Sequence, residues 1–174
     1  MSKYIKQINT QENILYNNII LLSRNKLFYT KFDLIDAFQN RIHLIFIHIS
    51  FIFIKIKQNN KNRMFKIFYQ NLFDLIFNNI ELNMREIGYG DTTINKNMRF
   101  LTKTFYNILL YCEKYKKMNK DEKKVFLNKY LQQNDIKNNA NIEDIVEYFN
   151  KYEAFCFDLS SDSVLKGELK FNYM

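Results

Sequence analysis

Proline is absent from this 174-residue chain, and glycine occurs three times. Both residues shape the tight turns that close β-hairpins, and sandwich or barrel folds need such turns at short intervals. A chain without them keeps long uninterrupted segments, which are helices joined by polar Asn/Lys links. The apolar fraction of 47% and the aromatic fraction of 17% far exceed what a disordered chain carries. The expectation is an all-α fold: a single-domain helical bundle over residues 1–174, with 1–11 and 160–174 peripheral or irregular.

Hydrophobic periodicity places the helices. Ile14, Leu15, Ile19 and Leu22 share one face of a first helix from Glu12 to Leu27, followed by an aromatic connection from Phe28 to Asp33. The run from Ile42 to Ile56 is apolar almost throughout. Its Ile and Phe content suits a strand, but strands rarely run so long. It falls short of the roughly 20 apolar residues of a membrane span, and it holds two histidines. Length decides for a central helix buried on nearly all sides. Phe65, Phe68, Leu72, Ile76 and Ile80 step by three and four along an amphipathic helix reaching Ile87. Ile94, Met98, Leu101, Phe105, Ile108 and Cys112 mark the next. Between them Gly88 suits a left-handed C-cap, and Asp91 or Thr93 an N-cap. Two long helices on so short a turn predict a central antiparallel helical hairpin. Asn119 and Glu122 have capping-box spacing ahead of Val125, Phe126, Tyr130 and Leu131. After a polar turn at 134–141, Ile142, Ile145, Phe149 and Tyr152 mark the last long helix.

The net charge of +8 admits two readings. One is a polyanionic partner such as nucleic acid, ribosome or anionic lipid; the other is a compositional bias toward Lys, Asn, Ile, Phe and Tyr. The cations form no run of five, which favours bias. Cys112 and Cys156 make neither a disulfide framework nor a metal pattern and are read as buried free thiols. His43 and His48 are five apart, off a common helix face, so packed roles fit them better than metal ligation. Gly88-Tyr89-Gly90 follows a helix and lacks the third glycine and the lysine of a phosphate loop. No nucleophile elbow, zincin motif or Cys-x-x-Cys occurs. Asp74, Glu81, Glu86 and Asp91 are acids of the kind usually solvated on helix faces. The reading is a non-enzymatic protein with no metal, cofactor or small-molecule substrate. The N-terminal residues lack a signal or transit pattern, which predicts an intracellular protein.

Leu72-Phe73-Asp74-Leu75-Ile76-Phe77, Met84-Arg85-Glu86-Ile87-Gly88-Tyr89-Gly90-Asp91, Lys96 and Phe105-Tyr106 together resemble the signature of the ubiquinol–cytochrome c chaperone family. Leu15-Tyr16, Ser23-Arg24, Phe28-Tyr29, Asp36, Arg41, His48, and Leu165-Lys166-Gly167-Glu168-Leu169 with Phe171 extend the likeness over most of the chain. Asn107-Ile108 depart from the family's Gly-Arg pair, and Asn78-Asn79 from its acidic positions. The resemblance implies a helical assembly factor of the respiratory ubiquinol–cytochrome c reductase, with cytochrome b as client. It also implies a second assembly factor in some relatives, and work at the ribosome. Without a transit peptide the chain resembles a bacterial member, cytoplasmic or peripheral to the inner face of the cytoplasmic membrane. Partner contact is expected at Arg85, Glu86, Tyr89, Asp91 and Lys96; Gly88, Gly90, Asp74, His48 and Tyr106 are expected as turn or core residues. Turn and cap chemistry alone would also select Gly88, Gly90 and Asp91, with Arg85 paired to Glu86 or Asp91. A basic helical module for nucleic acid or the ribosome is the competing reading.

Overall fold

A computed structural model describes residues 10–58, 63–134 and 139–173. Helix α1 (Gln11–Ser23) starts at Thr10, whose side chain accepts from the Asn13 amide. It stops four residues before Leu27. The Asn25 side chain accepts from the Leu27 amide at 3.0 Å, a local bond that competes with the helical ladder. The chain restarts at once as α2 (Leu27–Thr30), inside the segment expected as a connection.

Helix α3 (Phe38–Lys57) covers the ambiguous apolar run, and every residue from Ile42 to Phe53 is buried. A helix buried on all sides has no polar face, which is why its sequence also suits a strand. It packs against α1, α4 (Arg63–Glu86), α5 (Asp91–Lys114), α7 (Asn139–Asp158) and α8 (Ser161–Leu165). The α4 stripe buries Phe65, Phe68, Leu72, Ile76, Phe77, Ile80 and Met84. The α5 stripe buries Ile94, Leu101, Phe105, Ile108 and Cys112. The Phe105 ring lies 5.3 Å from Phe46 and 5.8 Å from Phe53 of α3, and 5.7 and 5.8 Å from Phe73 and Phe77 of α4.

After a 3-10 turn at Tyr115–Lys117 comes α6 (Lys120–Tyr130), opened by the Asn119/Glu122 capping box at 2.9 and 2.8 Å. Of the polar turn expected at 134–141, residues 135–138 lie outside the described residues, and α7 begins at Asn139. The link before α3 is tied to the one after α6 by buried Asn40. Its amide donates to the Ile35 and Gln132 carbonyls at 2.8 Å each, and its oxygen accepts from the Gln132 amide at 2.9 Å. Among the described residues there is one isolated bridge, Leu34 to Gln133, and no strand.

The tail after Ser160, expected as peripheral or irregular, carries α8 and buries Val164 and Leu169. Phe171 then sits 5.5, 5.1 and 5.3 Å from Tyr148, Tyr152 and Phe155 of α7. Residues 1–9 of the other expected periphery lie outside the described residues. Cys112 and Cys156 are buried free thiols. Among the described residues no helix is long and apolar enough to cross a membrane, and no group of His, Cys, Asp or Glu is arranged to hold a metal ion.

Candidate functional site

The signature turn is built by a C-terminal motif of α4. The Gly88 amide donates to the Arg85 carbonyl at 3.0 Å, and the Tyr89 amide reaches back to Met84 at 3.1 Å. This pair of hydrogen bonds satisfies two carbonyls of the last turn and needs a left-handed residue, supplied by Gly88 at φ +96°. Gly90, with extended backbone, is the N-cap of α5, and its carbonyl takes the Ile94 amide at 3.0 Å. The cap expected at Asp91 or Thr93 is thereby corrected: Asp91 is the first helical residue and Thr93 lies inside the helix.

Asp91 has another partner. Arg85 Nη1 donates to Asp91 Oδ1 at 2.6 Å, while Nη2 and Nε donate to Glu81 Oε1 at 2.8 and 3.1 Å. Arg85 thus clamps the end of α4 to the start of α5, and Glu86 takes no part in the pair. The Asp91 and Glu81 carboxylates raise the Arg85 pKa, and an acid at a helix start is also favoured by the aligned peptide dipoles. The five residues expected to meet a partner therefore divide. Arg85 and Asp91 engage each other. Glu86, Tyr89 and Lys96 are exposed, with side chains that pair with no described residue.

Two neighbours escaped the sequence reading. Leu82 and Ile87 are 53% and 62% exposed, and Tyr89 of the turn is exposed with them. For Leu82 the available signal was an apolar residue lying off the buried stripe of α4; Ile87, three past Met84, continues the stripe beyond the helix end and gave none. Asp74 and Tyr106, grouped with turn and core residues, stand on the surface instead. Both occupy the solvent side of their helices, where the 3.6-residue repeat turns them away from the buried stripe. Asp74 accepts from Gln70 at 2.8 Å and lines an open cleft of about 750 Å³ between α1 and α4, with Glu12, Asn71, Asn78 and Glu81. Tyr106 flanks Phe105 and Phe73 and borders a groove of about 460 Å³ with Tyr69, Leu109 and Leu110. His48 is fully buried in α3, hydrogen-bonded through both ring nitrogens and remote from the turn.

The family model for ubiquinol–cytochrome C chaperones matches residues 30–171, which includes the whole turn and both helices that frame it. No curated protein matches the chain. The crystal structure of the Cbp3 homolog from Brucella abortus is similar with a TM-score of 0.77, covering 93% of this chain and 88% of that one. At 19% identity that likeness is one of fold. The family match spans most of the chain, and on it the protein belongs to the ubiquinol–cytochrome c chaperone family.

Proposed function

We propose that this protein is a non-enzymatic assembly factor that holds newly made cytochrome b until it enters ubiquinol–cytochrome c reductase. The observation that carries the reading is membership of a chaperone family over residues 30–171. The surface beside the signature turn supports it. Ile87 and Tyr89 of the turn expose apolar side chains, Glu86 and Lys96 stand exposed on the helices that frame it, and unfinished membrane proteins need apolar surface covered in water. Client contact belongs to these exposed side chains, while Arg85 and Asp91 hold the turn in shape. A second assembly factor, and work in the cytoplasm close to the ribosome, belong to the same reading.

The test is co-purification of the tagged full chain from a respiring host, followed by mass spectrometry. The comparison variant is Ile87→Ser with Lys96→Glu, both exposed positions. Arg85→Glu is unsuited, because it would set a third carboxylate against Glu81 and Asp91. The expected result is cytochrome b recovered with the normal protein and lost from a variant of unchanged helical circular dichroism. Recovery of ribosomes or RNA without cytochrome b would instead favour the basic binding module.

A further inference from the structure

The outward face of α5 gathers what its packing leaves unused. At about 100° per residue, Lys96, Lys103 and Lys114 fall nearly on one line, with Arg99, Phe100 and Leu110 within a turn's width of it. All six are exposed, Phe100 by 57% and Leu110 by 55%. The two acids of the helix are already neutralised: Asp91 lies off this face and is held by Arg85 at 2.6 Å, and Glu113, at the rim of the groove beyond Leu110, is held by Lys57 at 2.7 Å. None of the four cations forms an ion pair with a described residue. The strip from Lys96 to Lys114 is about 27 Å long, at about 1.5 Å per residue, and contains no acid. Past Leu110 it continues into the apolar groove floored by Phe53 and Tyr69, whose rings are 4.1 Å apart. In the sequence these cations look dispersed; the helical repeat brings them into line.

We infer that this face docks the protein on an anionic membrane surface. The four cations sit among headgroup phosphates, and Phe100 and Leu110 enter the boundary of the acyl chains. Charge complementarity and the interleaved apolar side chains together select this partner, since an interfacial helix needs both on one face. RNA would attract the same cations and stack on Phe100 or Tyr106. It has no use for aliphatic Leu110 and the Ile54 and Leu109 walls of the groove, which a bilayer accepts. This inference deepens the family reading, which implied a place beside the membrane, by assigning the face and the headgroup charge; it does not depend on the client.

The experiment is co-sedimentation of the full chain with vesicles of phosphatidylcholine alone, and of phosphatidylcholine mixed with phosphatidylglycerol. Binding to the mixed vesicles only is expected. Lys103→Glu with Lys114→Glu, which leaves the client-contact candidate Lys96 intact, weakens it by about tenfold or more, whereas Lys26→Glu with Lys170→Glu, equal in net charge and outside α5, changes it by less than about twofold. Phe100→Ser with Leu110→Ser keeps every charge and removes the binding that survives raised salt. Should the double reversal fail to fold, Lys103→Gln gives the same direction at smaller size. Equal loss with both double reversals would reduce the effect to net charge and overturn the inference. So would equal binding to neutral vesicles, or binding of a single-stranded RNA probe with no vesicle binding. Cytochrome b recovery can fail while vesicle binding holds, and the reverse, so the two readings are tested separately.

Discussion

His48 has one protonation state that fits its surroundings. Nδ1 lies 2.6 Å from the Leu44 carbonyl, which can only accept, so Nδ1 carries the proton. Nε2, 2.8 Å from the Tyr148 hydroxyl, is then the acceptor. Phe149 and Tyr152 rings at 5.2 and 4.7 Å close the site, and burial lowers the His48 pKa to about 4. Burial also lowers His43, opposed by its bond to the Tyr130 carbonyl. The unfolded chain takes up these protons near the ordinary value of about 6.5, and the folded chain refuses them. The stability they confer is therefore present above that value and is lost as pH falls toward 4. Going from pH 7 to pH 5 is expected to cost about 2 kcal/mol through His48 alone, read as a lower urea midpoint. His48→Phe flattens that pH dependence but strands the Tyr148 hydroxyl, lowering stability at pH 7 by about 1–3 kcal/mol. That His48 packs in the core was legible from its apolar neighbours. Its partner Tyr148, a hundred positions away, was not.

At the level of elements, the signature turn and the tail use glycine differently. Gly88 has φ +96° and open space where a Cβ would stand, so Gly88→Ala strains only the backbone, at about 1 kcal/mol. Gly90 has ordinary extended backbone and equally open space, so Gly90→Ala costs only the weaker N-cap preference of alanine, about 0.5 kcal/mol. Gly167 combines φ +74° with a Cβ that would meet the Gln11 carbonyl oxygen at 2.8 Å and Ile14 at 3.0 Å. Gly167→Ala should exceed about 2 kcal/mol through strain and overpacking together. Thermal melts of the three variants should rank the damage Gly90→Ala below Gly88→Ala below Gly167→Ala, and a Gly90 variant as damaged as Gly167 would contradict it. The Gly88 cap and the Asn119/Glu122 box were legible because capping bonds span a few residues. The Arg85 clamp was legible in half: Asp91 stood among the sequence candidates, but Glu81, one helical turn before Arg85, did not.

In the whole molecule, Phe105 joins the central helix α3 to α4 through four ring contacts. Phe105→Ala should cost about 3–5 kcal/mol and loosen both interfaces. Tyr106→Ala, one position along and half exposed, should cost about 1 kcal/mol or less. Chemical denaturation of the pair separates core from surface at adjacent residues. What the sequence alone determined is the class of structure. Scarce turn residues and apolar steps of three and four set long helices, and the length of the α3 run outweighed its strand-like composition. Only the tertiary structure decided which outward residues remain outward, which cation meets which acid, and that the tail closes over α7. The helical repeat sets angles within one helix. The rotation of each helix and the neighbours it meets come from packing between segments far apart in the chain, to which no local pattern refers.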